Sequence, residues 1–113
     1  MKYLKRYNES KYVDIFKKES ETILEILFEI FDEFGLHDSY KILSKDDINK
    51  NNYDGAIYIS NIDSIKIANI MNELIIISGR IRSATGFFMD LSIIPMSNFS
   101  DIFLKFYYNK WNT

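Results

Sequence analysis

The chain has 113 residues, the size of one domain, and its content of 47% hydrophobic and 27% charged residues fits neither a disordered nor a membrane-embedded class. No cysteine occurs, which excludes disulfide frameworks, thiolate metal sites and cysteine nucleophiles together. The formal net charge is only -2, but it is unevenly spread: residues 1–18 hold six basic and two acidic groups, residues 19–54 hold three and ten, and the remainder balances at +1.

No internal repeat, low-complexity tract or linker divides the sequence, so one globular domain over 1–113 is expected. The N-terminal stretch Met1 to Glu9 is basic but has no apolar core and no small-residue cleavage site, and no apolar run approaches the ~18 residues of a membrane span. A cytoplasmic protein with no membrane contact is the expectation. The abundance of isoleucine, asparagine, lysine and tyrosine suits an AT-rich bacterial genome.

Ser10 can cap a long N-terminal amphipathic helix whose apolar residues Ile23, Leu24, Ile26, Leu27, Ile30, Phe31 and Phe34 recur at spacings of three and four, with Gly35 placed to end it. A break near Lys18 to Ser20 is expected, because an unbroken helix from 10 to 34 would span about 37 Å at 1.5 Å per residue. Tyr40 to Leu43 and Ala56 to Ile59 read as short antiparallel strands around the polar loop Ser44 to Asp54. Ser60 and Asp63 resemble a capping box, after which Ile62, Ile65, Ile67, Ile70, Met71, Leu74 and Ile75 predict a second, central helix to about Ser78. Arg80 to Ser83 and Phe87 to Ile94 read as strands around Gly86. Ser97 to Tyr108 reads as a C-terminal aromatic helix with Ile102, Phe103 and Phe106 facing inward. The predicted class is α+β.

The most distinctive feature is an acidic stripe on the first helix. Glu21, Glu25, Glu29 and Glu33 repeat every four residues, Asp32 adjoins them, and no basic residue occurs between Glu19 and Asp38. Each like-charge pair at that spacing costs roughly 0.2–0.5 kcal/mol, and the later acids oppose the helix dipole. Either the stripe is a solvated face, or it pairs with Lys2, Lys5 and Arg6 after folding, or it serves a basic partner. Asp46 and Asp47 form a second acidic patch.

Other motifs are weaker. Asp47, Asn49 and Asn51 match the first ligand positions of a calcium loop, but its sixth position is Asn52 instead of glycine and its twelfth is Tyr58 instead of glutamate, so an ordinary polar turn is preferred. His37 is the only histidine and lacks the partners of a zinc site or a catalytic triad. Arg80 and Arg82, on one strand face beside Gly79, could fork onto a phosphate or carboxylate. The basic start interleaves Tyr3, Tyr7 and Tyr12, yet no phosphate-binding glycine motif occurs and the nucleic-acid footprint is missing. Phe99, Phe103, Phe106, Tyr107, Tyr108 and Trp111 make an aromatic terminus, read first as docking the last helix and second as an interface. With this inventory no enzyme, cofactor or metal is expected, although a carboxylate pair of the glycosidase kind remains formally open.

In its run Glu19-Ser-Glu21-Thr-Ile-Leu-Glu25-Ile-Leu-Phe-Glu29-Ile-Phe-Asp32-Glu33, and in its size, acidity and lack of cysteine, the chain resembles the small bacterial immunity proteins that neutralise toxins, including those of contact-dependent growth inhibition. That resemblance implies a toxin domain as partner, commonly a basic nuclease, with the carboxylates of Glu21, Glu25, Glu29, Asp32 and Glu33 filling its cationic cleft and Asp46 and Asp47 adding a second contact. Association would then be steered by charge and sensitive to salt. The alternative is a small acidic secretion chaperone or adaptor that holds an effector segment in an apolar groove, for which the aromatic terminus would be the better surface.

Overall fold

A computed structural model describes residues 2–43 and 53–108, with side chains described from Phe16 onward. Two helices and a four-stranded antiparallel sheet follow in the order α1 (Lys2–Phe34), β1 (Tyr40–Leu43), β2 (Gly55–Asp63), α2 (Ile67–Thr85), β3 (Phe87–Pro95) and β4 (Phe99–Tyr108). The class is α+β, as the hydrophobic spacing indicates.

On α1, Phe16, Ser20, Ile23, Leu27, Ile30 and Phe31 are buried, one stripe at helical spacing. The helix runs through Lys18 to Ser20 without the expected break. Ser20 is accommodated there because its hydroxyl donates to the Lys17 carbonyl at 2.7 Å. Gly35 ends the helix at a left-handed φ of 67°, and the Leu36 amide reaches back to the Phe31 carbonyl at 2.8 Å. That six-to-one bond, with buried Leu36 beyond it, is a Schellman close.

The sheet order is β1-β2-β4-β3. β2 and β3 both run antiparallel to β4 and hence parallel to each other, so α2 links two parallel strands with β4 inserted between them. In the β2–β4 ladder Ile57 pairs with Leu104 and Ile59 with Ile102; these four side chains and Phe106 are fully buried. They share the face on which the helices pack. Phe16 fills the centre, its ring 5.6 Å from that of Phe87 and 5.7 Å from that of Phe106. Gly55 lies directly beneath it: a Cβ at Gly55 would sit 2.3 Å from the Phe16 ring. At the other end Phe31 stacks on Tyr40 at 4.8 Å.

The remaining differences from the sequence reading have local causes. The central helix begins at Ile67, not at Ser60, because Ser60 to Asp63 still belong to β2 and Ile62 enters the core from the strand. Asp63 does act as a cap, accepting from the Ile65 amide at 3.1 Å, but it caps the short 3-10 turn Ser64–Lys66 that precedes α2. The predicted strand Arg80 to Ser83 is the last part of α2, since buried Ile70, Leu74, Ile77 and Ile81 keep one helical phase straight through Gly79. Gly86, at φ 84°, is the true stop, its amide bonding the Arg82 carbonyl at 2.8 Å. The expected C-terminal aromatic helix is β4 instead. Ser100, Ile102, Leu104 and Phe106 alternate inward across its length, a period of two that wins once the strand has a neighbour on each side. Among the described residues no helix is long and apolar enough to cross a membrane.

Candidate binding surface

All five carboxylates of the acidic stripe, Glu21, Glu25, Glu29, Asp32 and Glu33, are exposed. The reason is geometric: the apolar residues of α1 turn toward the sheet and α2, and the four-residue repeat of the glutamates occupies the opposite side of the same helix. Two of the five have partners that the sequence did not reveal. Glu29 accepts a hydrogen bond from Arg80 of α2 at 3.0 Å, across two side chains that are both more than half exposed. Arg80 responds with a pKa raised above its ordinary value, first through that hydrogen bond and then through the charge of Glu29. Asp32 pairs with Nε2 of His37, whose ring lies edge-on to Phe28 at 5.2 Å. Glu21, Glu25 and Glu33 carry no ion pair among the described residues.

The expected fork of Arg80 and Arg82 does not form. Both lie on α2, where Arg80 turns to Glu29 while Arg82 stands 4.0 Å over the ring of Phe88. Asp46 and Asp47 lie outside the described residues. So does the first half of the calcium-like loop, residues 47–52, but Tyr58, its twelfth position, is a β2 residue whose hydroxyl is engaged elsewhere. Among the described residues no group of three or more potential ligands gathers to hold a metal.

A second surface was not foreseen. No helix among the described residues covers the face of the sheet opposite the core, and the side chains that alternate onto it include Tyr58 of β2, Phe103, Lys105 and Tyr107 of β4, and Phe88 and Asp90 of β3. Tyr53 joins them, its ring 5.8 Å from Phe103 and 6.1 Å from Tyr107. Lys105 lies 3.9 Å from Asp90.

Beside this row sits a buried carboxylate, Asp101, only 4% exposed. It accepts from the Tyr58 hydroxyl and, at 3.0 Å, from the Asn61 amide. The Asn61 amide is presented by a β-bulge: the register slips between Ile59 and Ile62, and Asn61 takes a φ of 59°. Bulge and carboxylate therefore form one unit, and Tyr58 has its pKa raised above 10.0, chiefly by the hydrogen bond to Asp101, then by burial and by the neighbouring negative charge. The signal in the sequence was the alternation Phe99-x-Asp101-x-Phe103-x-Lys105-x-Tyr107, masked by apolar residues on both sides of the strand.

No protein-family model, no curated protein and no solved structure matches this chain.

Proposed function

We propose that the chain is an immunity-type inhibitor that binds a basic toxin domain, a nuclease in the preferred form, by laying the carboxylates of its long N-terminal helix into the toxin's cationic cleft. Supporting this reading is one observation above the others: a row of five exposed acids is retained at a spacing that weakens its own helix, and Glu21, Glu25 and Glu33 have no internal cation among the described residues to offset the cost. Glu29 and Asp32 would exchange Arg80 and His37 for cations of the toxin. Asp46 and Asp47 supply the second patch. The inhibitor has no catalytic role, and neither a cofactor nor a nucleic acid takes part.

The test is co-expression of the chain with candidate nuclease toxins from bacterial contact-dependent systems, followed by titration calorimetry at low and high salt. The expected result is tight binding to one basic toxin, weakened by salt, and lost by at least about a hundredfold in Glu21→Lys/Glu25→Lys/Glu33→Lys, since each charge reversal at an interface costs on the order of 1–2 kcal/mol. Unchanged affinity in the triple variant would refute the acidic-face reading. A second reading, the secretion chaperone, draws support from the half-buried aromatic row of Tyr53, Phe103 and Tyr107 on the uncovered sheet face. It predicts binding of an extended effector segment that high salt leaves intact.

A further inference from the structure

The two edges of the sheet are built differently. β1 ends one side with four residues and an exposed lysine, Lys41, the kind of short, charged edge that discourages pairing. β3 ends the other side with nine residues, in unbroken register with β4 from Phe87 to Pro95, and Asp90 is its one charged side chain. Ile93 and Ile94 are 41% and 38% exposed on it. Such a strand offers a row of unpaired backbone groups to another chain.

Which groups these are follows from one hydrogen bond. The Met96 amide donates to the Phe99 carbonyl at 2.9 Å, and in an antiparallel ladder residues that face the partner strand alternate with residues that face away. Counting back along the unbroken register, Ile94, Ser92, Asp90 and Phe88 direct their backbone groups to β4, whereas Ile93, Leu91, Met89 and Phe87 direct theirs outward. Pro95, with no N–H to leave unpaired, also stands at an outward position. The Phe87 amide is already committed to Oγ1 of Thr85 at 3.2 Å.

We infer that β3 is the interface for a second copy of this chain, pairing antiparallel with its counterpart about a two-fold axis at Leu91 and joining two four-stranded sheets edge to edge. Only registers that set outward residues opposite one another can bond. With the axis at Leu91, Met89 lies opposite the partner's Ile93 and every outward N–H and C=O from Met89 to Ile93 is satisfied. The exposed isoleucines are covered from both sides, Ile93 against Met89 on the helix face and Ile94 against Phe88 on the other. Asp90 meets the hydroxyl of the partner's Ser92. An axis at Asp90 would set two carboxylates directly opposite, which is unfavourable. An axis at Ser92 would leave the Met89 carbonyl facing a proline nitrogen that has no hydrogen. The side-chain order of β3 thus selects one self-complementary register.

Analytical ultracentrifugation of the full chain is the first test, with twice the 13.4 kDa of one chain expected. Ile93→Lys places a charge on an exposed residue of the edge and should weaken dimerisation by about tenfold or more, while the thermal unfolding of the monomer, followed by circular dichroism, stays cooperative. Because the chain has no cysteine, the register can be read directly. Leu91→Cys should oxidise to a covalent dimer, its Cα atoms being about 5.5 Å apart across a hydrogen-bonded pair. Ser92→Cys, offset to about 8 Å from its own copy, should not. A monomeric wild-type chain, a dimer that Ile93→Lys leaves intact, or cross-linking through Ser92→Cys in place of Leu91→Cys would each overturn the inference, and a monomer that adds β3 to a toxin strand would do so in favour of a heterologous edge.

Discussion

Gly55 and Phe16 show how little room the core leaves to a single atom. A methyl group at Gly55 would fall 2.3 Å from the Phe16 ring, and that ring is held between Phe87 and Phe106, so it cannot swing away cheaply. Gly55→Ala should therefore destabilise the fold by about 1–3 kcal/mol, the usual cost of overpacking, and a lowered urea midpoint with an unchanged slope would show it. Phe16→Leu in the same background should recover part of the loss. Tyr58 makes a different kind of prediction. Its phenol holds its proton more tightly in the folded chain than in the unfolded one, chiefly because ionisation would abolish the hydrogen bond that the hydroxyl donates to Asp101, and then because burial and the neighbouring negative charge disfavour the phenolate. The stability from this difference is complete below about pH 10 and is lost as the pH rises through the folded value. Tyr58→Phe should cost about 1–3 kcal/mol at neutral pH, by leaving the buried Asp101 carboxylate with one fewer donor, and should flatten the alkaline decline in stability. Thermal melts of both chains from neutral to strongly alkaline pH would measure each effect. Nothing in the sequence pairs Tyr58 with Asp101, which lie 43 positions apart; the bulge that joins them is a property of the ladder.

At the scale of the element, α1 was largely legible and β4 was not. The apolar stripe of α1 repeats at one period over many turns and is followed by glycine, so spacing alone located its core face and its end. The same period grouped Glu21, Glu25, Glu29 and Glu33 on one side of the helix, but that this side faces solvent was settled by the fold and not by the sequence. In β4 the inference failed because Ile102, Phe103 and Phe106 are spaced as a helix would space them, while the strand has apolar residues on both faces and so shows no clean alternation. Arg80 to Ser83 failed for the converse reason: the polar-apolar-polar run Arg80-Ile81-Arg82 looks like a strand unless the phase of Ile70, Leu74 and Ile77 is carried through Gly79. The partners of Glu29 and Asp32 were invisible because Arg80 comes from another helix and His37 from beyond a helix stop. The like-charge spacing of α1 leads to a prediction at this scale. Glu25→Gln removes the repulsions with Glu21 and Glu29 and should stabilise the chain by about 0.4–1 kcal/mol at low ionic strength, with the gain shrinking as salt is added. Urea titrations at two salt concentrations would read it, and a loss of stability would mean that Glu25 has a cation that the chain itself supplies. If the proposed function holds, the same variant binds its toxin less tightly, so stability and affinity move in opposite directions.

For the molecule as a whole, the α+β class was readable from the order of periodic segments, but the neighbours of each strand were not. Sheet order depends on which apolar edges find each other after collapse, and here the two strands that flank α2 are separated by one that comes after both. That arrangement has a bearing on how the protein comes into being. A ribosome releases α1, β1, β2, α2 and β3 before β4, yet β4 is the strand that bonds to β2 on one side and β3 on the other. Until it emerges, Ile57 and Ile59 lack the neighbours that bury them, and the nascent chain carries two open apolar edges suited to chaperone capture or to aggregation. The β2–β4 pairing that completes the core joins residues far apart in the chain, 43 positions for Ile59 with Ile102 and 47 for Ile57 with Leu104, which favours slow, all-or-none closure over gradual assembly. If the proposed function holds, protection would begin only once β4 has joined the sheet, so newly made chains would lag behind the threat, and a standing pool of finished molecules would be needed to meet it.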